Sequence, residues 1–409
     1  MTLFATARAP RQIVVGAGQR RSTAAYAKGL GDRALIVTDS YMGQQPALTE
    51  LVAQLAAVGV AADVFDGVEP EVPLDCVARI VKQGKAFGPD LIIALGGGSC
   101  MDAAKITSLI LAHGGAVQDY YGEFQVPGPV LPIIALPTTA GTGSEVTPVA
   151  VVADPDKTLK VGVASPELIP YIAICDPELT RTCPGSLTAI SGADALTHAI
   201  EAFTAKKREP VHDLSTSHVF LGKNDFSDHY ALAAIGRISR SLERAVSHGD
   251  DMAAREDMVW GSMLAGLAFG VAGTASAHAL QYPIGALTHT AHGSGVACLM
   301  PYVMEFNRPS CPAVFAQIAD AMGVPASVEG EEARSFAAID AVDAIFRKIG
   351  IPRATADLGL TTDQIDWTVD QSLAITRLMK NNPRELDSGS TKRLLQAAQS
   401  GARTDLRAA

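Results

Sequence analysis

The hydrophobic pattern of this chain changes period once, near residue 180, and that change limits the architectures open to it. Before it, short strand-forming runs (QIVVGAG, ALIVTD, AADVFDGV, LIIALGGGS, VLPIIALPTT, PVAVVAD and YIAICDP) alternate with stretches such as PLDCVARIVKQGKAFG, where apolar residues recur every three or four positions. Near-continuous apolar runs separated by amphipathic segments predict a parallel sheet covered on both faces. From about Pro184 onward the β-rich runs stop, and Ala, Leu and other helix formers dominate. The expected organisation is an α/β domain over residues 1–183 and an all-α domain over 184–409, meeting in RTCPGSL, where Pro184 and Gly185 interrupt both patterns. A chain of 409 residues is long enough for two such cores.

Composition narrows the class. Hydrophobic residues make up 48% and charged ones 19%, which suits a well-buried globular protein. A net charge of −10 gives no electrostatic attraction to nucleic acid or to an anionic membrane surface. The six cysteines are scattered without C-x-x-C spacing and read as reduced thiols, so a cytoplasmic location is expected. The N-terminus, MTLFATARAPRQIVVGAG, lacks the apolar run of an export signal. Met258 to Ala291 carries no charge and is long enough to span a bilayer, but its glycines and histidines fit a buried core helix better, and no membrane partner is expected. The polar stretch 206–228 reads as a loop or insertion within the helical domain, and the tail after about Ser400 as frayed.

Two glycine loops punctuate the first domain. In LIIALGGGSCMDAAK an apolar strand runs through Gly96, Gly97 and Gly98 into Ser99 and a helix carrying Asp102 and Lys105. Glycines let a pyrophosphate approach the backbone, and a helix N-terminus offers unpaired N–H groups; the plainer alternative is a tight strand-to-helix turn. In LPTTAGTGSEVTPVAVV, Thr138, Thr139, Thr142 and Ser144 set hydroxyls around two glycines, which suits ribose, phosphate or amide binding, or simply a turn. The GxG at Gly16–Gly18 fails the dinucleotide fingerprint, because Arg21 stands where the third glycine belongs. Asp39, ending ALIVTD, could accept from an adenosine ribose and repel a 2′-phosphate, favouring NAD over NADP, or could simply start a turn.

The second domain supplies metal chemistry. Asp194 and His198 lie four apart in a helical stretch and leave the same face. His278 and His292 bracket the histidine-richest segment, HALQYPIGALTHTAHGSG. One carboxylate and three imidazoles make a set of ligands for Fe(II) or Zn(II), with His289 the competitor of His292. The other five histidines are assigned to surface or loop roles.

Together, GGGSCMDAAK, PTTAGTGSEVT, DPELT, the order Asp194, His198, His278, His292, then HGSGVACLMP and NNPRE resemble the iron-dependent (group III) alcohol dehydrogenase family, within the dehydroquinate synthase-like superfamily, over nearly the whole chain. The resemblance implies a Rossmann-like dinucleotide-binding domain, a helical metal domain and a catalytic cleft between them. It implies NAD contacts from Asp39, Gly97, Gly98, Ser99, Asp102, Thr138, Thr139, Thr142, Ser144, Lys160 and Leu179, and Fe(II) as the ion, with Zn(II) its competitor. It further implies an NAD(H)-linked oxidoreductase acting on a small alcohol or hydroxy acid and its aldehyde or oxo form, and a homodimer or higher homo-oligomer.

The ion would serve as a Lewis acid toward the substrate oxygen while hydride passes to or from the nicotinamide. One departure stands out: where the family carries a further histidine four residues after the third ligand, this chain has Tyr282, and a phenol is a poor general base near neutral pH. Arg377, Lys380 and Arg384 in RLMKNNPRE could favour an anionic aldehyde, or could be solvated or paired with Glu385 and Asp387. The competing functions are a dehydroquinate synthase-type lyase, which would want glutamate and basic phosphate-binding residues around the metal that the stretch Gly192–Glu201 is not expected to supply, and a dinucleotide-binding protein without catalysis.

Overall fold

The structure, a computed structural model, describes residues 4–408. It divides into two compact units, one of Arg8–Cys183 with Asp213–Val219, the other including Pro184–His212 and Phe220 onward.

The first unit is built on nine strands: β1 Gln12–Val15, β2 Arg33–Val37, β3 Ala61–Phe65, β4 Leu91–Gly96, β5 Gly122–Glu123, β6 Ile133–Pro137, β7 Val149–Val152, β8 Val161–Ala164 and β9 Ile172–Cys175. Six of them form a parallel sheet in the order β1-β9-β6-β4-β2-β3. Alternate residues along β2, β4 and β6 feed two cores. Leu35, Val37, Ile92, Ala94, Ile133 and Ala135 face one; Ala34, Ile36, Leu91, Ile93, Leu95, Ile134 and Leu136 face the other. Burial on both faces explains why these strands read as unbroken apolar runs.

Helices α1 Thr23–Lys28 and α2 Pro46–Ala57 cover one face; α3 Leu74–Phe87 and α4 Gly98–His113 cover the other. Strand order reverses between β2 and β4, because β3 continues outward from β2 while β4 returns to its other side. In open α/β sheets that reversal opens a crevice at the carboxyl ends of the strands.

PVAVVAD does form a strand, β7, but not in the parallel sheet. It pairs antiparallel with β8, which pairs in turn with the two-residue β5, in a separate three-stranded sheet.

The second unit contains α5 Gly185–Thr204, and α6 Leu214–Ser217 falls in the segment that belongs to the first unit. Then come α7 Asp225–Ser247, α8 Met252–Ala272, α9 Ser276–Thr288, α10 His292–Asn307, α11 Pro312–Ala321, α12 Glu331–Lys348, α13 Ile365–Ala374, α14 Thr376–Asn381 and α15 Ser388–Ser400. The uncharged stretch from Met258 is split between α8 and α9, whose axes bend by 99°, and no single helix among the described residues is long and apolar enough to cross a membrane.

Two expectations need correction. The polar stretch 206–228 is not one insertion in the helical part: Asp213–Val219 joins the first unit, and Asp225 onward starts α7, capped by Asn224. Nor is the tail frayed. Residues Arg403–Ala408 form a 3₁₀ helix, and Arg403 Nη1 and Arg407 Nε donate to the fully buried carboxylate of Glu305 on α10 at 2.7 and 2.8 Å.

Candidate metal centre and cofactor loops

Helical geometry alone assembles half of the metal cluster. On α5, Asp194, His198 and Glu201 recur at four- and three-residue steps and share one buried face. His278 sits in the first turn of α9, and His292 is the first residue of α10. The Nε2 atoms of His278, His198 and His292 lie 3.6, 3.8 and 4.0 Å from Asp194 Oδ1. Two ligands on one ion with bonds of about 2.1 Å can be no more than about 4.2 Å apart, so these spacings suit a shared ion. Asp194, His278 and His292 form a trio whose ligand atoms all lie within 4.8 Å of one another, slightly wider than that limit, and His198 stands outside the trio and joins it through its 3.8 Å spacing to Asp194. His289, the competitor, is outside the cluster: it is exposed and caps α9 in the left-handed region at φ 55°.

Two atoms show that the cluster is built for something other than itself. Asp194 Oδ1 and His278 Nε2 are buried and have no hydrogen-bond partner. Groups of this kind cost about 1–3 kcal/mol each when left unsatisfied, and a cation between them removes that cost. The residues therefore fit a divalent ion. Burial opposes ionisation of Asp194, yet the neighbouring imidazoles, His198 foremost, hold its carboxyl well below the usual range. Burial also works against a charged His278, but Glu201 and Asp194 lift its pKa to about 9. The site thus stabilises one added positive charge, as a proton or as a metal.

Residues that sequence reading missed orient these ligands. Glu201 Oε2 accepts from His278 Nδ1 at 2.6 Å and from the Ala275 N–H at 2.8 Å, while Oε1 accepts from the Ala277 N–H at 2.7 Å. With Nδ1–H committed to Glu201, the lone pair of His278 Nε2 is left facing Asp194. Gln281 does the same for His292, whose Nδ1 lies 2.8 Å from Gln281 Oε1. The signal for Glu201 was its register, on the Asp194 face of the helix.

The HGSG sequence has a steric reason. A Cβ on Gly293 would lie 2.4 Å from the Ile190 carbonyl oxygen, and one on Gly295 would lie 2.8 Å from Gln281 Cγ, so glycine lets α10 approach α5 and α9. Asp194 and His278 are nearly enclosed, with 5% and 4% of their side chains exposed, whereas His292 keeps 30% and forms the open edge. Tyr282 lies at that edge, its ring centroid 5.9 Å from that of His292. On the inner side Phe269 stacks on His198 at 4.2 Å.

The residues expected to contact the cofactor lie in the first unit, most of them on the segments that follow β2, β4 and β6, with Lys160 just before β8 and Leu179 just after β9. Gly97 caps α4, and Gly98 and Ser99 begin it, at the end of β4. Asp39 follows β2; its Oδ1 accepts from the Met42 N–H at 2.9 Å, the turn-forming role, while Oδ2 faces Cys100 Sγ at 3.6 Å. Thr138 directly follows β6 and donates its N–H to the Gly96 carbonyl at 3.0 Å. Thr139 is the side chain nearest Gly97, and Thr142 the one nearest Gly98.

Asp102 and Lys105 face inward. Asp102 accepts from Ser144 Oγ and the Val151 N–H at 2.7 and 2.9 Å. Lys105, fully buried, donates to Ser144 Oγ at 2.8 Å and to the Thr147 and Val149 carbonyls at 2.9 Å. The pair ties α4 to the hydroxyl-rich loop. Burial, only partly offset by Asp102 and Glu145, lowers Lys105 to about 8, and burial raises Glu145 to about 7.

Lys160 pairs with Glu71 at 2.7 Å, and the Glu71 N–H reaches Ser99 Oγ at 3.3 Å. Glu71 and Val72 both hold positive φ, 67° and 55°, a strained turn beside this loop that the sequence did not signal. Leu179 is buried in a 3₁₀ turn and packs into the sheet core. The two glycine amides of the GxG are spent within the protein: the Gly16 N–H donates to the Cys175 carbonyl at 3.2 Å and the Gly18 N–H to Asp176 Oδ1 at 3.1 Å.

The first unit's chain matches the family model described as iron-containing alcohol dehydrogenase over residues 10–177, and the second matches its C-terminal counterpart over 188–399. The chain belongs to the iron-containing alcohol dehydrogenase family. Long-chain-alcohol dehydrogenase 1 of Geobacillus thermodenitrificans is 36% identical over 370 residues, 90% of this chain and 89% of that protein. A solved 1,3-propanediol oxidoreductase superposes with a TM-score of 0.90 at 30% identity, over 97% of this chain and all of its own. A sulfoacetaldehyde reductase from Bifidobacterium kashiwanohense, solved in complex with NAD+, gives 0.83 at 28% identity, over 98% and 99%. This member of the family is an NAD-linked alcohol/aldehyde oxidoreductase.

Proposed function

We propose that Asp194, His198, His278 and His292 together hold one Fe(II), with Zn(II) the competing ion, and that the protein interconverts a small primary alcohol and its aldehyde with NAD(H). The observation that carries this reading is the convergence of two unsatisfied buried atoms, Asp194 Oδ1 and His278 Nε2, with two further imidazoles. A divalent ion bound there supplies Lewis-acid polarisation of the substrate oxygen.

The chain's own residues do the rest. Glu201 and Gln281 fix the ligand tautomers. Phe269, stacked on His198, supplies an apolar wall. Tyr282, beside the most exposed ligand, stands where the substrate would enter and can hydrogen-bond its oxygen or a water. The Gly97–Ser99 turn and the start of α4 bind the pyrophosphate, Thr138, Thr139, Thr142 and Lys160 line the cofactor path, and Leu179 packs against the adenosine end. Asp39 receives the ribose hydroxyls, which favours NAD over NADP. Asp102 and Ser144 shape that loop through their bond to each other.

A neutral substrate is favoured over an anionic one. Arg377 lies over the Phe220 ring at 4.3 Å; Arg384 lies over Phe306 at 4.3 Å and donates to its carbonyl. Glu385 takes Lys206 as its partner, and Lys380 is exposed. Six cysteines outside any disulfide, five of them buried, support a reducing, cytoplasmic setting, and we place the enzyme there as a homo-oligomer.

The test is a panel of neutral and charged aldehydes with NADH, on apo-protein reloaded with Fe(II) or Zn(II). His278→Ala is expected to abolish turnover while NAD binding persists; undiminished turnover in that variant rules the metal reading out. Faster reduction of carboxylated or sulfonated aldehydes than of neutral ones would overturn the substrate assignment.

A further inference from the structure

The NNPRE segment carries none of the candidate ligands, yet its second asparagine is among the most committed side chains in the helical unit. Asn382 is fully buried. Its Oδ1 accepts from Ser276 Oγ at 2.7 Å and Asn307 Nδ2 at 2.9 Å. Its Nδ2 donates to Asn307 Oδ1 at 2.7 Å and to the Arg384 carbonyl at 2.6 Å. All four of its hydrogen-bonding positions are therefore in use.

The partners matter more than the number of bonds. Ser276 is the first residue of α9, two before His278. Asn307 is the last residue of α10, the helix that begins with His292. The neighbouring Asn381 donates to the carbonyls of Ala272 and Thr274, across the sharp bend between α8 and α9. The first turn of α9 is thus held on one side by Glu201, through the Ala275 and Ala277 amides, and on the other by Asn382 through Ser276.

We infer that Asn382 is a positioning residue for the metal: it sets the register of the two helices that carry His278 and His292, with Ser276 as its contact to α9. A buried polar network can be exchanged for apolar packing at little cost in stability, so its value here lies in geometry. Metal bonds tolerate displacements of only about 0.2 Å, which makes such a register worth fixing. The inference rests on the metal reading given above.

The experiment compares wild type, Ser276→Ala, Ser276→Thr and Asn382→Leu as full-length apo-protein titrated with Co(II) against a chelating indicator. Ser276→Ala and Asn382→Leu are expected to weaken Co(II) binding about tenfold or more and to shift the visible Co(II) bands. Ser276→Thr keeps the hydroxyl and is expected to restore both. NAD affinity, read by fluorescence titration, should not move in any of them. Should Asn382→Leu not fold, the milder Ser276 pair decides. A lowered melting temperature with unchanged Co(II) affinity and spectrum would make the network merely structural and overturn the inference alone. A wild-type protein that binds no Co(II) would overturn the metal reading, and this inference with it.

Discussion

Exchanging Glu201 for glutamine changes the metal site while barely changing its shape. The carboxylate accepts three hydrogen bonds, from His278 Nδ1 at 2.6 Å, the Ala275 N–H at 2.8 Å and the Ala277 N–H at 2.7 Å. An amide has one carbonyl oxygen, so its NH₂ must face a donor. If the oxygen keeps the Oε2 position, the buried Ala277 N–H is left without an acceptor, at about 1–3 kcal/mol. If it flips, His278 Nδ1–H and Ala275 N–H both face a donor, and the ring loses the contact that orients it. Either way the negative charge that makes His278 Nε2 a stronger ligand is gone. Metal affinity is expected to fall about 10–100-fold, equivalent to about 1.4–2.7 kcal/mol. The assay is competition between Glu201→Gln apo-protein and a chelating indicator for Fe(II), Co(II) or Zn(II), with circular dichroism to establish that the variant is folded. A folded variant whose metal affinity stays within about twofold of wild type would refute the role of Glu201.

Gly293→Ala forces a Cβ to 2.4 Å from the backbone oxygen of Ile190, so α10 must retreat from α5 by about 1 Å to reach ordinary contact. We expect destabilisation of about 1–3 kcal/mol together with loss of metal, read by thermal melting and by metal content after dialysis. Glu145, raised to about 7 in the fold from 4.5, binds its proton more tightly folded than unfolded, so it supports the fold below about pH 4.5 and that support is lost as pH rises through 7. Glu145→Gln should therefore gain on wild type by under about 1 kcal/mol at pH 5 but by on the order of 3 kcal/mol at pH 8 in urea unfolding, and a pH-independent difference would contradict this. Replacing Arg403 and Arg407 by methionine strands the buried carboxylate of Glu305 and should cost about 3–5 kcal/mol; a loss below about 1 kcal/mol would show that the tail does not secure α10.

What could be read from the sequence follows from how each element is buried. Strands such as β2 and β4 were legible because both their faces are covered, leaving unbroken apolar runs. The assignment of β7 to a second sheet was not, since an apolar run carries no record of its neighbour, and β8 did not stand out because Gly162 interrupts its apolar run. Asp194 and His198 declared themselves through helical spacing, whereas bringing His278 and His292 to them depends on three helices meeting, which no local pattern encodes. Glu201 passed for an ordinary acidic residue because its importance lies in what approaches it from α9. Lys105 was legible as part of a phosphate loop, but its inward turn toward Ser144 and Thr147 depends on a loop some forty residues on.

The segment Asp213–Val219 has a consequence for biosynthesis. It belongs to the first unit, where the half-buried Arg8 donates to the carbonyls of Ser215, His218 and Val219, and where Glu123 accepts from the Val219 N–H at 2.7 Å. A ribosome adding about 5–20 residues per second has therefore already released α5, with Asp194, His198 and Glu201 on it, before the last piece of the α/β unit becomes available. The nascent α/β unit, its strands already made, must wait for that segment while the helix carrying Asp194 and His198 emerges. Cutting the gene at Cys183 would not yield a finished half-protein, but one whose N-terminal arginine has lost its acceptors.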